Sequence, residues 1–369
     1  FEQVRTEPVP VPRWVRGSAQ LELLEPRPHT VRLLALGGSV GTPPDGLVAD
    51  ILVVRDFDEL QSRAAEAKGK IVLYDFVFSN YSGALRYRSR GAIEAAKVGA
   101  VASLIRSVTP FSMQTPHTGM MRYDERVPRI PHAAVTVEDA AFIARCAERG
   151  ARVVAKLNLA TRSLPDVLSR NLLAEFTGRQ KPDEIVVIGA HTDSWDISPG
   201  AVDDAGGCIA TWEAVRLLRE LGLRPRRTIR LVLWVNEENG LRGARAYRTN
   251  HVAELANHVL AIESDLGVFR PKGFSFSGSE AALTWARRIA RLLDSLGTAY
   301  VEQGEPSADT WPLAESGVPV MELLTARERY FWFHHTAADT VDKVDPIELN
   351  QCVAALAVMV YAAAEWPEQ

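Results

Sequence analysis

One stretch of the chain, residues 185–213 (IVVIGAHTDSWDISPGAVDDAGGCIATWE), gathers an imidazole and four aspartates: His191, Asp193, Asp196, Asp203 and Asp204. It begins as an apolar run and ends in a glycine-rich turn that opens a helix. Acids and an imidazole at the end of a buried strand are costly to desolvate unless something binds them, and a divalent cation fits that role. Further groups of the same kind follow: Asn236-Glu237-Glu238, Glu263-Ser264-Asp265 and Phe333-His334-His335-Thr336. Histidines and carboxylates without thiolates suit zinc with an open coordination position. One tetrahedral ion would not use so many donors, whereas two ions roughly 3.5–4 Å apart, bridged by a carboxylate and a water, would. Side chains of adjacent residues diverge at a strand end. One of Glu237 and Glu238 can therefore ligate while the other acts as general base.

These residues need elements to position them. Apolar runs at 185–188, 229–235, 259–262 and 318–324 read as strands, and each precedes one of the groups above. Helical patterns alternate with them at 206–221, 243–250 and 280–296. In the first of these, Ile209, Trp212, Val215 and Leu218 are expected to share a buried face. A last helix opens at Asp345-Pro346-Ile347-Glu348, an N-cap with proline at the first helical position, and carries Leu349, Val353, Leu356 and Val360. Alternating strands and helices predict an α/β fold, a mostly parallel mixed sheet with helices on both faces. In such sheets active sites lie outside the carboxyl ends of the strands.

Residues 18–166 have another texture. Short strands at 31–36, 49–54, 71–74, 100–105, 133–137 and 153–157 alternate with helices near 57–67, 92–98 and 137–149. His29, His117 and His132 lie here without a surrounding group of acids. They are read as surface or satisfied side chains, and the region as a smaller α/β domain without chemistry of its own. The prolines of residues 4–12 suit an edge strand. The expected organisation is therefore residues 1–17 and 167–369 in the larger domain, with 18–166 inserted.

A net charge of -4 gives no basic face for nucleic acid. Cys146, Cys208 and Cys352 form no CxxC pair, which argues against a disulfide framework. The apolar run 352–364 is too short to span a bilayer. No signal peptide is present, and a start at Phe1 points to a trimmed chain. Asn80-Tyr81-Ser82 is a glycosylation triplet of low specificity. Residues 273–277 are not a GxSxG elbow, which removes a serine-hydrolase reading.

The motifs HTDSWD, GAVDDAGG, LVLWVNEENG, ESD and FHHTAADT resemble those of the co-catalytic dizinc exopeptidases, the aminopeptidase and glutamate carboxypeptidase II family. The resemblance extends over nearly the whole chain, through GTPPDG, VRDFDEL, GAIEAAKVGAVASLIRSV and TPHTGM. It implies the zinc-peptidase fold, with residues 18–166 as an inserted protease-associated domain and a further helical segment before Phe1. It implies two zinc ions, with cobalt or manganese as substitutes. Their ligands would be His191, Asp203 as the bridge, Glu238, Asp265 and His335, with His334 the rival of His335. Glu237 would be the general base, assisted by a water that the ions acidify and that bridges them as hydroxide. Asp193 would orient the ligating imidazole of His191, and Asp339 that of His335. A cis bond between Asp203 and Asp204 is also implied. Asp309 lies in a loop that approaches the site in relatives. Tyr330, Phe331 and His334 either line a substrate pocket or belong to the core. The implied activity is hydrolysis of dipeptides or short peptides with a free N-terminus, by a secreted or periplasmic homodimer. The competing readings are a catalytically inactive receptor on the same fold and a single-zinc acyl transferase like the glutaminyl cyclases. The intact ligand set weighs against both.

Overall fold

The structure, a computed structural model, describes residues 1–366 and divides into two compact units. The first comprises residues 1–11, 167–333 and 339–369, and the second residues 12–166 and 334–338. The division after Val11 falls inside a continuous strand, Glu2–Val15, ahead of the expected boundary after residue 17. The short segment 334–338 groups with the second unit, where the Thr118 amide donates to the His335 carbonyl at 3.0 Å.

The first unit is built on an eight-stranded sheet. Its order is Glu2–Val15, Arg162–Phe176, Arg227–Trp234, Lys181–His191, His258–Glu263, Val320–Thr325, Pro271–Ser277 and Tyr300–Gln303. The strands from Arg227–Trp234 to Val320–Thr325 run parallel, while Arg162–Phe176 and Pro271–Ser277 pair antiparallel to their inner neighbours. The sheet is thus mixed with a parallel centre. Its register sets His191 opposite Trp234 and Gly189 opposite Glu263, which brings the ends of three strands level. The runs are apolar throughout because helices cover both faces.

The helices Gly206–Glu220 and Pro346–Glu365 fill one face. Ala210, Ala214, Val215 and Leu218 of the former pack in one core with Leu356, Met359 and Val360 of the latter. The expected face of Gly206–Glu220 is corrected here, since Ile209 and Trp212 are 50% and 39% exposed. Steps of three residues fall about 60° short of a full turn, so positions 209 to 218 drift around the helix rather than line one side. Asp345 caps Pro346–Glu365, accepting from the amides of Ile347 and Glu348. This helix is long and apolar enough to cross a membrane by length and composition. Cys352, Leu356, Met359, Val360 and Ala363 are nevertheless buried in the core, which accounts for its apolarity.

In the second unit another eight-stranded sheet runs in the order His29–Val31, Ala19–Glu25, Val154–Leu159, Leu47–Val54, Ile71–Tyr74, Ala102–Arg106, His132–Val135 and Leu33–Ala35. Tyr81–Lys97 and Val137–Glu148 are its longest helices, capped by the side chains of Asn80 and Thr136. Cores lie on both faces of this sheet, one around Tyr74, Tyr87 and Ile105, the other around Leu73, Leu104 and Ile143.

Candidate active site

At the end of Lys181–His191 the His191 ring is fully buried. Its Nδ1–H donates to the main-chain carbonyl of Asp193 at 2.8 Å. That bond leaves Nε2 facing the acids, and in the neutral ring gives it the lone pair with which a cation would be bound. Nε2 lies 3.2 Å from Asp203 Oδ1 and 3.2 Å from Asp265 Oδ1. Ligand atoms of these three residues all lie within 4.8 Å of one another. Donors bound at about 2.0–2.1 Å to a tetrahedral ion are spaced by about 3.3 Å, so the observed distances fit a shared cation.

Three loops present these donors. Gly200 enters the first with φ +64, a conformation open to glycine, and the bond from Asp203 to Asp204 is cis. Gly207 lies in the first turn of the following helix, Gly206–Glu220. A Cβ there would lie 2.0 Å from the Ser264 carbonyl, so only glycine lets the two loops approach. Asn236 turns the second loop with φ +66, a region asparagine tolerates, and delivers Glu237 and Glu238. Both are half-buried. The third loop follows Glu263 and carries Asp265.

Carboxylates hold these loops by their backbone amides. Asp193 Oδ1 accepts from the Glu237 amide at 3.0 Å and Oδ2 from the Glu238 amide at 3.3 Å. Its carboxylate stands 3.8 Å from His191 Nδ1, so the imidazole is oriented by the main chain, not by the Asp193 side chain as the resemblance implied. Asp339 likewise accepts from Val202 N at 2.6 Å and Asp203 N at 3.1 Å, and so fixes the loop of Asp203. Asp204 accepts from the amides of His191 and Gly207, while Asp196 is exposed. Glu263 accepts from Ser307 Oγ at 2.5 Å, Asp309 N at 3.1 Å and Thr310 N at 3.0 Å. This clamp was missed in the sequence, although Glu263 is the last strand residue before Asp265.

The electrostatics follow from this density of acid. Burial drives the Asp204, Glu237 and Glu238 carboxyls well above their usual values, and neighbouring carboxylates add to it. Burial opposes charge on His191 too, but Asp265 and Asp203 outweigh it and hold the ring well above its ordinary value. Asp309 is fully buried, and neither of its carboxylate oxygens meets a hydrogen-bond partner. Such a field favours a cation at the centre.

A model of peptidase family M28 matches residues 171–360. Carboxypeptidase Q of Homo sapiens is 46% identical across all of this chain and 78% of its own length. The chain belongs to peptidase family M28. As a member of that family it is a metallopeptidase. An M28 peptidase precursor from Shewanella amazonensis superposes with a TM-score of 0.96 at 37% identity, over 100% of this chain and 85% of that one. The zinc aminopeptidase BSAP of Bacillus subtilis shares the fold, with a TM-score of 0.73 at 21% identity over 100% and 86% of the two chains.

Other expected residues of this M28 chain fall as follows. Tyr330 is buried in a small apolar cluster with Val202 and Phe269, against which Phe331 and Phe333 pack. Of the two readings left open, the geometry of Tyr330 and Phe331 is that of core side chains. His334 and His335 belong to the second unit. Their rings stack at 3.6 Å, and Tyr81 packs edge-on against His334. His335 takes φ +61, an uncommon value for a residue with a Cβ. Its Nδ1 lies 3.2 Å from the Thr118 carbonyl and 3.3 Å from Arg88 Nη1.

Proposed function

We propose that this metallopeptidase is a dizinc exopeptidase that hydrolyses dipeptides or short peptides with a free N-terminus. The observation that carries the reading is the shared approach of His191 Nε2, Asp203 and Asp265 at distances suited to one tetrahedral ion. His191, Asp203 as bridge, Glu238, Asp265 and His335 would hold two zinc ions. Such ions supply Lewis acidity, polarising the peptide carbonyl and acidifying water.

The residues themselves do the following. Glu237 lies at the strand end beside the ligands, its backbone fixed by Asp193. Burial raises its carboxyl well above the usual value, which strengthens it as a base. It takes the proton of the attacking water and returns it to the leaving amine. Glu238, the adjacent residue, would ligate. His335 would ligate through Nε2, with its Nδ1–H on the Thr118 carbonyl. Asp309, buried without a partner for its carboxylate, belongs with the substrate-binding groups. The second unit corresponds to the protease-associated domain of the family. A homodimer in a secreted or periplasmic setting is carried over from the resemblance and is tested by sedimentation and cell fractionation.

The central test is metal analysis combined with peptide hydrolysis. Two zinc ions per chain, and dipeptide cleavage lost on chelation and regained with zinc, are expected. Glu237→Gln should keep its zinc and lose turnover. One ion per chain, or full activity in Glu237→Gln, overturns the assignment.

A further inference from the structure

The proposed mechanism leaves unused a row of polar side chains on one face of the first unit's sheet. The strands His258–Glu263, Val320–Thr325 and Pro271–Ser277 set Glu263, Glu322 and Ser275 in register. Residues in register on neighbouring strands point to the same face. The residues next to them, Ile262, Met321, Phe274 and Phe276, belong to the core that Gly206–Glu220 and Pro346–Glu365 cover. The polar row therefore faces the other way, where Ala261 and Val320 pack with Leu313 in a smaller core. Two residues further along each strand that apolar surface gives way to Glu263 and Glu322.

Two members of the row lack partners. Ser275 is 8% exposed, yet its hydroxyl makes no hydrogen bond among the described residues. A Cβ at residue 304 would lie 1.9 Å from Ser275 Oγ, so Gly304 keeps room for that hydroxyl. Glu322 is half-buried and makes neither a hydrogen bond nor an ion pair among the described residues. Arg327, the cation whose charge reaches it, is exposed. Burial first, then Glu263 and Asp265, raise the Glu322 carboxyl well above its usual value. Glu263, by contrast, is satisfied by Ser307, Asp309 and Thr310. An unpaired carboxyl group beside an unpaired hydroxyl, among other acids, calls for a donor that carries positive charge.

The geometry separates a metal ion from an organic cation. His191, Asp203 and Asp265 bring ligand atoms within 4.8 Å of one another, whereas Glu322 joins no such group among the described residues. Its oxygens stand too far from other acids to close a metal shell, and suit an ammonium or guanidinium.

The row leads to the catalytic centre. The charge of Glu263 reaches both Glu322 and Asp309, and the charges of Glu237 and His191 reach Asp309. His258–Glu263 separates Val320–Thr325 from Lys181–His191, so Glu322 lies two strand spacings, about 9–10 Å, to the side of the strand that ends in His191. Gly189 pairs with Glu263 and Glu263 with Glu322, which sets Glu322 two residues deeper than His191. The α-ammonium of a substrate, two bonds from the attacked carbonyl carbon, is too short to span that gap. The flexible stem of a lysine or arginine side chain spans it.

We propose that Glu322, with Ser275 beside it, is the subsite for a cationic side chain on the N-terminal residue of the peptide, so that N-terminal lysine and arginine are preferred. The inference rests on the exopeptidase reading above. The bound side chain supplies the counter-charge that Glu322 lacks and a donor to Ser275 Oγ.

The test uses the zinc-loaded full chain with lysyl-alanine and norleucyl-alanine, which share a four-carbon stem and differ in the terminal ammonium. Wild-type kcat/KM should favour lysyl-alanine by about ten-fold or more, mainly through KM, as one charge-assisted hydrogen bond implies. In Glu322→Gln that ratio should fall by about ten-fold, and Glu322→Lys should use glutamyl-alanine better than lysyl-alanine. Calorimetric titration of Glu237→Gln should show the wild-type preference in Kd without turnover. Equal use of lysyl-alanine and norleucyl-alanine by the wild type overturns the subsite while leaving the exopeptidase intact, and needs no variant to fold. A ratio unchanged in Glu322→Gln overturns the assignment to this carboxylate. An equal preference for alanyl-lysine over alanyl-norleucine overturns the assignment to the N-terminal residue. A third metal ion per chain, lost in Glu322→Gln, overturns the organic cation. Cleavage of none of these peptides overturns the exopeptidase reading, and the subsite with it.

Discussion

Asp193→Asn separates two roles that one carboxylate could play. The side chain accepts from two consecutive amides, Glu237 N and Glu238 N, whereas His191 Nδ1–H is held by the Asp193 carbonyl. Asparagine keeps that carbonyl and one side-chain oxygen, but turns an NH2 toward the other amide. The lost charge-assisted bond is worth about 1.5–3 kcal/mol, toward the lower end because the Asp193 side chain is 23% exposed. If this is expressed as misplacement of the base, kcat falls about ten- to a hundred-fold. His191 should keep its orientation, so zinc content at saturating metal should stay at the wild-type value. The assay is kcat and KM on a dipeptide, with metal content measured on the same samples. A variant that loses zinc at saturating metal, but keeps wild-type kcat per zinc-loaded chain, would show that the carboxylate orients the imidazole after all. An unchanged kcat would refute the clamp.

Three further outcomes follow from the structure. Asp339→Asn leaves a buried amide of Val202 or Asp203 without its acceptor, and should weaken zinc binding about ten- to a hundred-fold in chelator competition; unchanged affinity would show that the loop of Asp203 holds itself. Leu356→Ala opens a cavity in the core of the first unit and should cost about 2–5 kcal/mol in denaturant unfolding, with the zinc ligands untouched. His132 is buried, donates to the Tyr87 carbonyl at 3.2 Å, and is pushed by burial down to about 4. The folded value lies below the unfolded one, so stability from this group is full above pH ~6.5 and is lost as pH falls toward 4, by about 3 kcal/mol at the lower end. An imidazole signal for His132 that titrates near its ordinary value removes the basis for this.

The parallel centre of the first sheet was legible because strands buried on both faces leave uninterrupted apolar runs, as at 185–188 and 229–235. The acids and histidines that follow them stood out by contrast, and the structure brings His191, Asp203 and Asp265 within 4.8 Å of one another. What a carboxylate holds was not legible. Asp193 was assigned to an imidazole by analogy, yet its side chain holds the amides of Glu237 and Glu238, whose placing is decided by how the loop turns at Asn236. Three-residue spacing misled the reading of Gly206–Glu220, since it approximates a helical face only over a turn or two. The four-residue strand Tyr300–Gln303 offered too short a pattern to register.

The use of carboxylates as clamps follows from the fold itself. Where parallel strands end, loop amides lose their ladder partners and need acceptors. Serine or asparagine could supply one each, but a carboxylate supplies two and bonds more strongly to N–H. Asp193, Asp204, Asp339 and Glu263 use both oxygens in this way, on residues from separate loops. Their charge also accumulates at the centre, where it raises the Asp204, Glu237 and Glu238 carboxyls and favours the imidazolium of His191. A bound divalent cation would relieve that repulsion and keep the clamps ionised at lower pH. Loop rigidity and metal affinity are then two expressions of one arrangement, because the acids that fix the ligands' backbones also create the field that binds the ion.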